Sequence, residues 1–414
     1  YDFVHCQTFD AGFWTGIVTF NNELVAMNND SRTYRYNGTA FQQVLNQTQV
    51  GLKIKTNGTE LIVTTQNHVF VLNQTYVILA DITQIPDYTA IFKAATVVNG
   101  VVYIGTEKNG LFSTTLANPT SFEAMSPNGP VRNYIFRVKK APNYLWAVYG
   151  DYSREYNPYA LDEFGISKFS NDNGWELIPY DDLFQAKSIS DIIINPNNPN
   201  QIFATSYFSG LLKIENESIE LFNNTNTGPN GLESLIVPGS PSYIDIRINS
   251  PAFDRDGNLW LTNAFVDRAI KVLRSNGQWQ SYSLAGIAPT VATGRYGPIA
   301  IDKNRTKWVP TINDGLIAFN DNYNNKFIVI NTTNGNLPDN DVRCVAVDNR
   351  NQLWIGTFAG LRTLSVDQFI SSDELTTNSI IIQEGDLAQE LFYQQTILDI
   401  AVDGANRKWV SIAD

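Results

Sequence analysis

Nine times along this chain a strand-like stretch is built around one bulky apolar anchor, and no other feature restricts the fold as tightly. The clearest copy is "NRNQLWIGTFAGLRTL", Asn349–Leu364, where a polar turn runs into a tryptophan, a glycine-bearing gap follows and a short apolar stretch closes the phrase. It returns as "RDGNLWLTNAFVDRAIKVL" from Arg255 and "NRTKWVPTINDGLIAF" from Asn304. Aligned on the tryptophan, the anchors are Val25, Ile62, Tyr103, Trp146, Phe203, Trp260, Trp308, Trp354 and Trp409, spaced 37 to 57 residues apart. A period of this size without helical periodicity signals a propeller or a solenoid.

Inside a unit the pattern is β throughout. "DVRCVAVD", Asp341–Asp348, alternates apolar and polar residues as a half-buried strand does. "DNRNQ" is a tight turn whose leading aspartate is placed to accept backbone hydrogen bonds. "LWIGT" is a second strand, "GLRTL" a third reached through glycine, and "KFIVINTT", Lys326–Thr333, a weaker fourth. Four antiparallel strands per unit describe a propeller blade. The aspartate recurs six residues before tryptophan at Asp254, Asp302, Asp348 and Asp403. "DRDGN" at Asp254 resembles the start of a calcium loop, but the distal glutamate is missing and the same slot elsewhere reads "DKNRT" or "DGANR". A structural hairpin is therefore expected, with the tryptophans as packing residues and no metal.

The first three units run about 40 residues apart and the later ones about 50. Between them lies "ANPTSFEAMSPNGPV", Ala117–Val131, which reads as a linker. The expected fold is all-β, with tandem β-propellers of seven four-stranded blades each. Residues 1–125 would be the last blades of a first propeller, and 126–414 a second propeller truncated before its last blade. "RKWVSIAD" stops in mid-strand and "YDFVHCQTFDAGFW" is no signal peptide, so a fragment cut at one or both ends is expected.

Composition narrows the function. Of 414 residues, 43% are hydrophobic, which indicates a folded chain, and the net charge of −12 argues against nucleic acid. Two cysteines (Cys6, Cys344) and two histidines (His5, His68) make neither a disulfide framework nor a zinc cluster. No apolar run is long enough to span a bilayer as a helix.

"NGNLPDNDVRCVAVDNRNQLWIGTFAGLRTL" and "SPAFDRDGNLWLTNAFVDRAIKVL" resemble the two-component-regulator propeller repeat of Bacteroidetes, of the form L-P-x-N-x-V, D-x-x-G-x-L-W-I-G-T, G-L. The Asn334–Leu364 unit matches almost throughout, the Trp260, Trp308 and Trp409 units in part, and the first five only in pattern. Two families carry the repeat: periplasmic sensors of hybrid two-component systems, and the PorZ family of the type IX secretion system. The chain is more similar to the PorZ family, on Pro127–Phe169, the "GW" of Gly174-Trp175 and the "RKWVSIAD" terminus. That resemblance implies a surface protein on the outer face of the outer membrane. Its partners would be a sortase-like protease and outer-membrane β-barrel proteins, with anionic lipopolysaccharide presented to the sortase. The alternative implies a glycan-sensing periplasmic domain.

No catalytic constellation emerges, so a non-catalytic protein without cofactor is expected. The sialidase-type turn places aspartate five residues before tryptophan, not six. His5 and Cys6 are neighbours on a strand and would point to opposite faces. His68 reads as a turn residue, and "YDDLF" (Tyr180–Phe184) and "DNDV" (Asp339–Val342) as solvated turns or backbone acceptors.

Binding is better supported. The longest insertion, Tyr149–Gly165, carries Tyr149, Tyr152, Tyr156, Tyr159 and Arg154, and matching loops supply Tyr207, Phe208, Phe265 and Arg268, with Arg295 and Tyr296 before an innermost strand. Aromatic rings with arginines suit an acidic glycan or a protein partner, and the residues do not separate the two. The competing expectation is that this tyrosine-rich loop folds over the propeller face and packs on itself.

Overall fold

Because alternating strands bury one face, each repeat unit folds into its own antiparallel sheet, and the nine anchors mark equivalent places. The computed structural model describes residues 13–125, 128–216, 218–384 and 387–413. Every anchor lies on the second strand of its unit: Val25 in Glu23–Asn28, Ile62 in Leu61–Thr64, Tyr103 in Val101–Thr106 and Trp146 in Leu145–Val148. The series continues with Phe203 in Asn198–Phe208, Trp260 in Leu259–Asn263, Trp308 in Lys307–Pro310, Trp354 in Gln352–Thr357 and Trp409 in Lys408–Ile412.

Residues 14–46, 53–82, 92–124, 137–178 and 300–330 each form a four-stranded meander in chain order. The sheets 189–222 and 246–282 are joined by pairing of Tyr207 with Arg247 and Phe208 with Ile246. Residues 342–365 give three strands, extended by a single bridge between Thr363 and Asn378, and 397–412 give two among the described residues. The fold is thus an all-β propeller fold of four-stranded antiparallel sheets. The chain divides into two compact units, Tyr1–Asn128 and Gly129–Asp414.

One expectation is corrected here. The stretch read as a linker from Ala117 is, over Asn118–Ala124, the fourth strand of the 92–124 sheet, pairing Phe112 with Ala124 and Ser113 with Glu123. Its Asn, Pro and Ser content suits an exposed edge strand as well as a loop, because an edge presents half its backbone to water.

The recurrent aspartate explains both the turn and the six-residue spacing. In "DRDGNLW" one carboxylate oxygen of Asp254 accepts the amides of Asp256 (3.0 Å) and Asn258 (2.9 Å), while the other accepts the indole N–H of Trp260 (2.8 Å). Asp302, Asp348 and Asp403 repeat this with the amides two and four residues on and with Trp308 (3.0 Å), Trp354 (3.3 Å) and Trp409 (3.2 Å). The carboxylate locks the turn and satisfies a donor that the tryptophan would otherwise bury unpaired. Glycines opening third strands are equally constrained. Gly210 (φ 110°) and Gly315 (φ 82°) occupy a region that suits glycine, and a Cβ there would meet the carbonyl oxygens of Phe222 and Ile330 at 2.3 and 2.2 Å.

Neighbouring sheets are stitched by the residue preceding the anchor. The Lys307 ammonium lies 3.8 Å from the centre of the Trp260 ring and pairs with Asp321 at 2.5 Å. Lys408 stands likewise over Trp354, at 5.0 Å, and pairs with Asp348 at 2.8 Å. At the corresponding place Leu353 joins the apolar cluster around Trp308. Burial opposes ionisation of Asp348, but Lys408 and the turn amides outweigh it and hold the carboxyl at about 2, below its ordinary 3.8. A depressed folded-state value gives stability that is present above the unfolded value and lost as pH falls through the folded one. Wild-type protein is therefore expected to lose stability between pH 3.8 and about 2, and D348N to flatten that part of a urea-midpoint profile against pH.

Asn-x-Thr triplets are turns. Asn37, Asn57 and Asn73 each accept the amide of the threonine two residues on at 3.0 Å, and Asn223 and Asn331 repeat the contact at 2.8 and 2.9 Å.

Candidate functional site

The Tyr149–Gly165 insertion leaves the 137–178 sheet between its second and third strands and has no regular secondary structure. It packs on its own unit, as the competing expectation held. Tyr149 is buried, its hydroxyl 2.6 Å from Ser167 Oγ. Tyr156 and Tyr207 belong to the buried cluster that also holds Trp260 and Tyr296. Tyr152 stacks on Tyr156 at 4.8 Å and 14° and meets Tyr207 at 4.9 Å, while its hydroxyl accepts the Asn249 amide at 3.2 Å. Burial raises the phenols of Tyr152, Tyr156 and Tyr207 above their ordinary value, so all three stay protonated and neutral. Tyr149, Tyr156, Tyr207 and Tyr296 are packing residues, each buried among its neighbours.

The remaining candidates divide. Tyr159, 50% exposed, and the half-buried Phe265 converge on a residue the sequence reading missed, Arg247. Its guanidinium lies 4.8 Å from the Phe265 ring centre and 5.9 Å from that of Tyr159, and pairs with Asp245 at 2.8 Å. Tyr159 also touches the hydroxyl of Tyr243, whose ring meets Phe208 at 6.4 Å. Arg295 joins the group through Phe265 (5.8 Å) and donates to the carbonyl of Glu155 at 2.9 Å. Arg268 stands apart, held by the Pro229 carbonyl (2.6 Å) and Glu233 (3.1 Å).

Arg154 is exposed, lies over Phe358 at 4.4 Å and donates to Thr396 at 3.3 Å. With Tyr152 and Tyr156 it lines a cavity of about 550 Å³, whose wall also includes Phe136, Arg137 and Arg343. Arg343 clamps the insertion by donating to the Arg154 carbonyl at 2.5 Å and pairing with Asp341. Arg137 lies 3.6 Å from Asp191, a carboxyl that burial raises despite that arginine. Arg137, Arg247 and Arg343 were all missed; each is the first or second residue of the first strand of its unit, Arg137–Lys140, Ile246–Phe253 and Val342–Val347. Their positions lie between apolar ones in those strands, so the sequence pattern does not single them out.

The carboxylate pairs are turn residues. Asp181 begins a single 3-10 turn, and Asp339 accepts the Asp341 amide at 2.8 Å. His68 precedes the strand Val69–Leu72, stacks on Phe70 at 5.0 Å and contacts Asp81 at 2.8 Å, as a turn residue should. Cys344 is buried, and burial pushes its thiol far up. His5 and Cys6 lie outside the described residues. Among those described, no group of three or more His, Cys, Asp or Glu is placed to hold a metal ion, and no helix is long and apolar enough to cross a membrane.

The repeated four-stranded antiparallel sheets are those of a β-propeller fold, and residues 336–359 match the two component regulator propeller family. The particular likeness is to PorZ of Porphyromonas gingivalis, described as an essential bacterial surface component of its type IX secretion system. The two share a TM-score of 0.73 and 19% sequence identity over 96% of this chain and 55% of that one. In fold, then, the chain is PorZ-like, and it spans about half the length of PorZ. The extracellular domain of a hybrid two component system from B. thetaiotaomicron also aligns, over 99% of this chain and 63% of that one, at 14% identity and a TM-score of 0.30. No curated protein matches the sequence.

Proposed function

We propose that this chain is part of a non-catalytic, cell-surface component of a type IX secretion attachment complex. It docks a sortase-like protease and outer-membrane β-barrel proteins, and presents anionic lipopolysaccharide to the sortase. In this reading residues 1–125 close one propeller and 126–414 make most of a second. The observation that carries the proposal is the PorZ-like fold along 96% of the chain. The cluster of Tyr159, Tyr243, Phe265, Arg247 and Arg295 supports it, since tyrosine and arginine dominate binding energy at protein interfaces. Deleting the gene tests the proposal: cargo proteins are expected to accumulate without surface attachment, and normal attachment in the deletion strain would refute it.

A second reading, a glycan-sensing periplasmic domain of a hybrid two-component regulator, is favoured by the repeat at residues 336–359. It predicts instead that deletion abolishes transcriptional induction by a specific oligosaccharide and leaves cargo attachment intact.

A further inference from the structure

The gap between the sheets 189–222 and 246–282 departs from the packing that the repeat builds next door. Between 246–282 and 300–330 the space is filled by the Trp260 indole, the Lys307 ammonium, the Phe319 ring and the Asp321 carboxylate. Strand register identifies their counterparts one gap earlier. Trp260 lies opposite Val272 and Leu259 opposite Leu273, as Trp308 lies opposite Ala318 and Lys307 opposite Phe319. Leu273 therefore stands where Phe319 stands, Ser275 where Asp321 stands and Leu259 where Lys307 stands, while the anchor Phe203 replaces Trp260. Each counterpart is the smaller or shorter side chain, and the ion pair is gone.

The result is a cavity of about 360 Å³ lined by all four of these residues. Protein interiors are close-packed, and a space of this size with a mixed lining is that of a ligand site. Its floor is apolar: Phe203 and Leu259 are buried, and Phe222, Phe253 and Leu273 are half-buried beside them. Its charges are matched. Lys213 pairs with Glu215 at 3.2 Å and Arg274 with Asp321 at 3.0 Å, so nothing offsets the cost of burying an ionised ligand. At the rim the Asn195 amide donates to Gln201 at 2.7 Å, whereas the Asn197 side-chain amide has no hydrogen-bond partner among the described residues. A free carboxamide offers both donor and acceptor to a neutral polar group. The next gap fills the same layer with the rings of Trp260, Tyr282 and Phe319, and here the rings of Phe203, Phe222 and Phe253 present edges and faces to one more.

We propose that this cavity binds a neutral aromatic ring, indole- or phenol-like, with its polar substituent at Asn197. The ring belongs either to a free small molecule or to a tryptophan or tyrosine of a bound peptide. The inference is independent of the secretion and glycan-sensing readings, neither of which involves this gap.

Fluorine NMR of 5-fluoroindole and of N-acetyl-5-fluorotryptophanamide, each titrated with the full chain, tests it. Saturable line broadening is expected, with affinity lowered about tenfold by L273F, which restores the ring found at Phe319, and by S275W at the rim. Ser275 is exposed and its printed bond to Asn258 (3.1 Å) comes from its backbone amide, so S275W should keep the wild-type urea midpoint even if L273F overpacks the floor. Tighter binding of the tryptophanamide than of fluoroindole would assign the ring to a peptide, and equal or weaker binding would assign it to a free molecule. Absent saturable broadening, or undiminished affinity in S275W, would overturn the proposal. Displacement of the probes by methyl glucoside at lower concentration than by N-acetyltyrosinamide would also overturn it and assign the cavity to a neutral sugar.

Discussion

Trp260→Ala is expected to destabilise the second unit by about 3–5 kcal/mol, read from urea unfolding, because three kinds of contact fail together. The ring is fully buried, stacked on Tyr282 at 5.9 Å and edge-on to Phe319 at 6.0 Å. Its indole N–H fills the acceptor on Asp254, and its face receives the Lys307 ammonium. Removing it leaves a cavity, a carboxylate oxygen that keeps only its bond from the Asn258 side chain, and a buried cation over empty space. Trp409 occupies the same motif position and makes the same bond to its aspartate, but it is 62% exposed. W409A should therefore cost about 1 kcal/mol or less. Equal costs at the two sites would mean that the hydrogen bond, rather than burial, carries the motif's stability.

The second large effect comes from the charge that bridges two sheets. Lys307 is almost wholly buried and is held by Asp321, which also takes Arg274 at 3.0 Å. Burial lowers the ammonium's proton affinity while Asp321 opposes that shift, so the pair holds a charge the protein interior disfavours. D321A strands that cation and is expected to cost about 3–5 kcal/mol. K307M/D321A removes both charges and keeps an apolar chain over Trp260, so most of the loss should be recovered. If the double variant is no more stable than D321A, desolvation of Lys307 is not the dominant cost.

Much of this fold was legible from one recurring phrase, since anchors from Val25 to Trp409 fall on equivalent strands. The aspartate's role in the turn was legible as well, because two backbone amides within four residues are local. The indole bond that sets the six-residue spacing was not inferred. The fourth strand at Asn118–Ala124 was hidden because edge strands tolerate the polar residues of loops. The site was less legible. Tyr149, Tyr156 and Tyr207 look like Tyr159 in sequence, and only packing decides which rings are buried and which meet solvent. Arg247 and Arg343 sit in strands whose alternation is carried by the apolar residues, so the polar positions between them gave no signal of their own.

Affinity purification of the tagged full-length protein from gently solubilised cell envelopes, with co-purifying proteins identified by mass spectrometry, is the most direct measurement of the secretion role. A sortase-like protease together with an outer-membrane β-barrel protein is the predicted result. Recovery of the protein alone, or continuous with an inner-membrane kinase, would contradict it.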